Sequence, residues 1–219
     1  MEDELVRQTA LLADLVGAAE PALAVPSCPD WTVGELAVHV GLGHRWATGI
    51  IASRASGPVP NSEAADRHAP EDSAGRAQWL RAGAARLAAA VRQAAPDARV
   101  WTWADDQTAG FWLRRMVHET VIHRADAALA LRRATEIASD LAADGITELL
   151  QIIPYVLEKP DTVGLLGVGQ SLHLHAIDAG PARPGNGRLP ARPMHCCGST
   201  PIGPRTSPSE AASPTCSCC

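Results

Sequence analysis

The 219-residue sequence contains almost no lysine and no long apolar run. Lys159 stands against 18 arginines, and the formal net charge is −5 with an isoelectric point near 5.9. Because binding to phosphates requires clustered cations, we expect no nucleic-acid partner. A membrane helix needs roughly 20 consecutive apolar residues, which no segment provides, so we expect no membrane partner either. The acidic start, Met1 to Glu4, lacks the basic segment of a signal peptide and predicts a cytoplasmic protein.

Cysteine is scarce over most of the chain. Cys28 is the only cysteine before residue 196, and five of the last 24 residues are cysteine. This distribution fits neither a disulfide framework nor a zinc ribbon, whose cysteines are spread through a folded unit. From Gly180 onward the sequence is rich in proline and poor in large apolar side chains, which predicts a disordered tail over 180–219. Two origins stay open for this segment: a natural disordered tail, or a frameshift in a G+C-rich gene.

The apolar periodicity of the remaining chain predicts an all-α fold. It predicts four helices, over about 3–19, 33–53, 73–95 and 109–133, and a shorter helical stretch over 138–157 that is broken near Pro154. Thr32 and Glu35 have the spacing of a capping box at the start of helix two. Arg132 and Arg133 fall in the predicted last turn of helix four, where the helix dipole favours cations.

Four helices of this length predict a four-helix bundle. We expect the bundle with the shorter helix to occupy residues 1–159. Alternating polar and apolar residues over 171–178 predict one strand, which suggests that 160–179 is the start of a second domain. The tail then fills 180–219.

Helix four carries the residues best suited to chemistry. His118 and His123 are five residues apart, which excludes the zinc-protease motif with its histidines four apart. Glu119 and His123 are four apart, so they share one helix face and form either a metal-ligand pair or an ordinary polar pair. A catalytic metal then needs a third ligand from another helix. His39 and His44 lie on different faces of helix two; spacing slightly favours His39, and the alternative is a hydrogen-bonded core histidine.

Two further features are weaker candidates. Cys28 precedes a helix, where it is either a reactive thiol or an inert small residue. The Arg114–Arg115 pair either attracts an anionic substrate or forms solvated ion pairs.

Four motifs together resemble one protein family. They are VPSCPDWTVGELAVH (25–39), GHRW (43–46), WTW (101–103) and FWLRRMVHETVIHRAD (111–126). They are similar to the maleylpyruvate isomerase family of mycothiol-dependent enzymes, which belongs to the DinB-like metal-binding four-helix bundles. The resemblance implies that His39, Glu119 and His123 bind a divalent metal, most simply zinc, and that mycothiol is the thiol cosubstrate. It also implies isomerisation or S-transfer on a small electrophile by a metal-activated thiol.

The sequence departs from that family after about residue 179. Family members typically continue into a small α/β domain that helps to form the pocket, whereas this chain continues into the proline- and cysteine-rich tail. The departure leaves two alternatives beside the enzyme. One is a truncated, non-catalytic metal-binding helical module, and the other is a helical interaction domain without metal.

Overall fold

The computed structural model describes residues 1–157, and the elements follow the chain in a simple order. Helix α1 spans Glu2–Gly17, strands β1 and β2 span Ala24–Val25 and Cys28–Thr32, and α2 spans Val33–Ala52. A 3-10 turn at Asn61–Glu63 precedes α3 (Ser73–Ala94), α4 (Ala109–Ala130) and α5 (Ser139–Leu157). The predicted all-α fold is confirmed. The predicted strand at 171–178, the domain start at 160–179 and the tail at 180–219 lie outside the described residues.

The first four helices form a bundle within a unit that spans Met1–Ile152. Helices α1 and α2 each pack against both α3 and α4, whereas α1 and α2 barely touch one another, so they lie on a diagonal of the bundle. The interior consists mainly of aliphatic side chains, alanines and two tryptophans that are buried, among them Leu12, Leu36, Ile50, Leu87, Trp79 and Trp112. None of the described helices combines the length and apolar content needed to cross a bilayer.

Local sequence signals fix the helix starts. Thr32 accepts a hydrogen bond from the Glu35 N–H, and the Glu35 carboxylate accepts one from the Thr32 N–H, which completes the predicted capping box of α2. Asp72 caps α3 and Thr108 caps α4. In each case one side-chain oxygen accepts a hydrogen bond from a backbone N–H of the first turn.

The predicted end of α4 and the predicted break in α5 are wrong. Helix α4 ends at Ala130 rather than at Arg133, because Arg132 turns into the left-handed region at φ 54° and the Arg133 N–H bonds back to the Ala128 carbonyl. The arginine pair therefore lies beyond the helix. Helix α5 is a 19-residue helix, similar in length to the others, and it is not broken at Pro154, which lies inside its last turn.

The β1–β2 hairpin was not predicted. It is antiparallel and irregular, pairing Ala24 with Thr32 and Val25 with Cys28. The hairpin leads the chain from α1 into α2 and places Trp31 directly before the α2 capping box.

Candidate metal centre

Helices α2 and α4 bring the three predicted ligands together. His39 lies in the second turn of α2, and Glu119 and His123 lie one turn apart on α4. The Glu119 Oε2 atom is 3.3 Å from His123 Nε2 and 3.8 Å from His39 Nε2. One donor atom from each residue lies within 4.8 Å of the other two. We call this set the metal triad.

The triad has the dimensions of a zinc site. Zinc–nitrogen and zinc–oxygen bonds of about 2.1 Å at tetrahedral angles place neighbouring donor atoms about 3.4 Å apart. The two measured carboxylate–imidazole distances bracket that value. Two imidazoles and one carboxylate are also a donor set that catalytic zinc uses, with the fourth position open. The residues present therefore fit a divalent metal.

The triad is open on the side of α2. The His123 side chain is 3% exposed, whereas those of Glu119 and His39 are 25% and 40% exposed. The Trp31 ring lies 4.7 Å from the His39 ring and 5.7 Å from the His123 ring, centroid to centroid. The indole therefore shields one flank of both imidazoles, while a small molecule can approach past His39.

Asp126 fixes the orientation of His123. Its Oδ2 atom lies 3.0 Å from His123 Nδ1, and its Oδ1 atom accepts a hydrogen bond from Ser27 at 2.6 Å. Burial raises the pKa of Asp126, but the hydrogen bonds from His123 and Ser27 outweigh it and hold that pKa below its usual value. An ionised Asp126 can only accept, so His123 Nδ1 carries a proton. Burial acts to lower the pKa of His123, but its hydrogen bonds to Asp126 and Glu119 outweigh burial and raise that pKa to about 9. A metal at Nε2 would therefore displace the proton that His123 shares with Glu119. Cys28 Sγ is 3.9 Å from the same carboxylate and is buried.

Arg115 holds the other oxygen of Glu119. Its guanidinium donates to Glu119 Oε1 and, at 2.6 Å, to Glu148 Oε2 on α5. Burial disfavours the charged guanidinium, but the two carboxylates outweigh this and raise the pKa of Arg115. Burial likewise acts to raise the pKa of Glu119, yet hydrogen bonds from His123 and His39 and the charge of Arg115 hold it well below its usual range. Glu119 is therefore an ionised carboxylate whose Oε2 faces the histidines.

The other two helix histidines lie elsewhere. His44 is fully buried, and its Nε2 lies 2.9 Å from the Thr120 hydroxyl, which itself donates to the Met116 carbonyl. His44 is thus a hydrogen-bonded core histidine, which is the alternative that the sequence left open for helix two. His118 Nε2 lies 2.8 Å from Asp144 Oδ2 of α5, on a different face of α4 from His123.

Sequence reasoning missed the groups that support the triad. Asp126 lies three residues after His123, so helical spacing alone could have identified it. Ser27 and Glu148 reach the site from distant parts of the chain, and no local pattern marks them. The sequence predicts that Arg115 either attracts an anionic substrate or forms solvated ion pairs. The structure places it in two ion pairs, with Glu119 and Glu148, and its side chain is only 18% exposed.

The sequence comparison identifies the family of this bundle. Residues 2–128 match the family described as the mycothiol maleylpyruvate isomerase N-terminal domain. The chain belongs to this family. No curated protein and no solved structure matches the chain. The mycothiol maleylpyruvate isomerase N-terminal domain thus covers α1 to most of α4, including the whole metal triad, and ends before α5.

Proposed function

We propose that the chain is a mycothiol-dependent metalloenzyme of the maleylpyruvate isomerase family, which acts on a small electrophile by isomerisation or S-transfer. The observation that carries the proposal is the metal triad, whose donor distances suit a tetrahedral ion. Family membership supports mycothiol as the thiol partner.

A divalent ion held there, most simply zinc, would be a Lewis acid that lowers the pKa of a bound thiol and keeps the thiol as a thiolate near neutral pH. His39, Glu119 and His123 would hold the ion. Asp126 keeps the proton on His123 Nδ1, and Arg115 keeps Glu119 Oε2 turned toward the histidines. The exposed side of His39 would admit the thiol, and Trp31 would exclude water from the opposite flank.

Elemental analysis of the purified protein tests the site. We expect about one divalent ion per chain in the wild type and loss of the ion in His39→Ala, Glu119→Ala and His123→Ala, because three protein ligands are needed. His68→Ala and Glu63→Ala are matched controls, since both side chains are exposed in the loop between α2 and α3, and they should retain the ion. A wild type that binds no metal even after reconstitution would contradict the proposal and leave the helical interaction domain.

Turnover distinguishes the enzyme from the non-catalytic module. With the metal present, we expect consumption of a cis-configured or otherwise electrophilic small substrate only when mycothiol is added. The three ligand variants should lose this activity, and the two loop controls should keep it. Metal binding without any mycothiol-dependent turnover would favour the non-catalytic metal-binding module instead.

A further inference from the structure

Helix α5 reaches the metal triad although it lies outside the part of the chain that matches the family. The match ends at residue 128, and α5 begins at Ser139. Glu148 of α5 binds Arg115, and Arg115 binds Glu119 of the triad. One guanidinium therefore bridges a metal ligand and a carboxylate from a helix beyond the family domain.

When the histidines of the triad are neutral, as metal ligands must be, the surrounding charges match a divalent ion only if Glu148 is included. Glu119, Asp126 and Glu148 supply three negative charges, and Arg115 supplies one positive charge. The net charge of −2 from these four groups equals in size the charge of one divalent cation. Without Glu148 the other three groups carry a net charge of −1, which attracts a divalent cation less strongly, and the positive charge of Arg115 beside Glu119 is no longer offset.

The burial of Glu148 indicates a role for its charge. Its residue exposure is 3%, and its Oε1 atom is buried without a hydrogen-bond partner among the described residues. A buried carboxylate with an unsatisfied oxygen destabilises a fold unless a cation offsets it. Arg115 is that cation, at 2.6 Å from the other oxygen of Glu148.

We propose that Glu148 is a positioning residue of the metal centre, which neutralises Arg115 and thereby preserves the affinity of the triad for a divalent ion. The inference rests on the proposed metal site and deepens it, since it assigns a part of the centre to α5. Loss of the Glu148 charge leaves Arg115 to interact with Glu119 alone, so the guanidinium competes with the metal for that carboxylate.

The test is the affinity for Zn²⁺ measured by competition with a chelator on the full chain. We expect Glu148→Gln to weaken binding about ten-fold or more, as removal of an outer partner of a ligand commonly does. Glu148→Asp keeps the charge and should restore most of the affinity. Asp144→Asn is the matched control, because it also removes a carboxylate from α5, but one whose partners are Arg114 and His118 rather than Arg115.

The visible spectrum of bound Co²⁺ gives a second readout that general destabilisation would not change. We expect the spectrum of Glu148→Gln to differ from that of the wild type, and the spectrum of Asp144→Asn to match it. Equal Zn²⁺ affinity in wild type and Glu148→Gln, or equal loss in Glu148→Gln and Asp144→Asn, would overturn the role of Glu148 while leaving the metal site in place. A wild type that binds no Zn²⁺ would overturn both.

Discussion

Helix α4 packs against the other helices of the bundle on one side and contacts α5 on the other. The two contacts differ in their chemistry. Toward the bundle, α4 buries Trp112, Val117 and Ala127, each less than 2% exposed. Toward α5 it presents a row of basic side chains to acidic and amide partners, and we call this contact the α4–α5 seam. Its pairs are Arg114 with Asp144 and Gln151, Arg115 with Glu148, and His118 with Asp144.

The difference separates stability from control of the site. Burial of apolar surface stabilises a fold without depending on the direction of each contact. The partly exposed pair of Arg114 with Asp144 contributes little stability and responds to salt. The buried pair of Arg115 with Glu148 places charge at a fixed point. The bundle interior therefore holds α2 and α4 in place, whereas the seam, through Arg115 and Glu148, sets the charge beside Glu119.

The largest expected effect comes from overpacking the bundle interior at Gly41. A Cβ atom at Gly41 would lie 1.9 Å from Trp79 Cζ3, and that ring is held by Arg45 stacked at 3.7 Å and by its own hydrogen bond to the Asp66 carbonyl. We expect Gly41→Ala to lower the free energy of unfolding by about 3 kcal/mol in urea denaturation.

Gly49 of the same helix provides a control, because its substitution should change the free energy of unfolding in the opposite direction. A Cβ atom there meets nothing within 4 Å, so Gly49→Ala should raise the free energy of unfolding by up to about 1 kcal/mol through helix propensity. Equal stability of the two variants would show that the contact between α2 and α3 at Trp79 is loose. The bundle interior would then be no more rigid there than the α4–α5 seam.

The second effect is a pH dependence that the interior should impose through His44. Burial, with a smaller contribution from the charge of Arg45, lowers the pKa of His44 to about 3 despite the opposing influence of Glu119. The unfolded chain takes up a proton at this residue near pH 6.5, and the folded chain does not. The contribution of His44 to the free energy of unfolding is therefore fully present above pH 6.5 and is lost as the pH falls toward 3. We expect a loss of about 2 kcal/mol between pH 7.5 and 5.

Comparison with His44→Gln isolates this contribution. Glutamine can still donate to Thr120 but does not titrate, so the variant should lose less stability between pH 7.5 and 5 than the wild type. Urea denaturation of both proteins with a chelator present removes the contribution of bound metal. Identical losses in the two proteins would show that His44 takes up its proton within the folded state.

The parts of the fold that were predictable from the sequence are those set by neighbouring residues. Thr32 and Glu35 are three apart, and Glu119 and His123 are four apart, so helix geometry alone brought each pair together. The choice between His39 and His44 was harder, because spacing shows only that they face different ways. The resemblance to the family implies His39, and the structure places His39 beside Glu119 and His44 in the core.

The remainder depended on contacts between distant residues. The hairpin has a two-residue strand and an irregular register, so no alternating pattern marked it. Ser27 and Asp126 are 99 residues apart, and Arg115 and Glu148 are 33 apart. Helix α4 has polar residues on the faces toward both His39 and α5, so periodicity could not show which of its charged side chains would meet a partner.

The smallest expected effect concerns the α4–α5 seam and its response to salt. In 1 M NaCl the screening length is about 3 Å, which weakens ion pairs that solvent reaches. The side chains of Arg114 and Asp144 are 28% and 37% exposed. We expect amide hydrogen exchange over 139–152 to accelerate up to about five-fold between 0.05 and 1 M NaCl, corresponding to at most about 1 kcal/mol.

The bundle helices supply the internal control, because salt strengthens apolar burial rather than weakening it. Amides in the middle of α2 and α4 should exchange no faster in 1 M NaCl. Arg114→Gln at low salt should reproduce the faster exchange of α5, since it removes the two hydrogen bonds to the Asp144 carboxylate. If α5 exchanged at the same rate in both salt concentrations, Leu141 and Ile152, which are 9% and 6% exposed, would hold the helix by apolar burial alone. The seam would then set the charge beside Glu119 without contributing to the stability of α5.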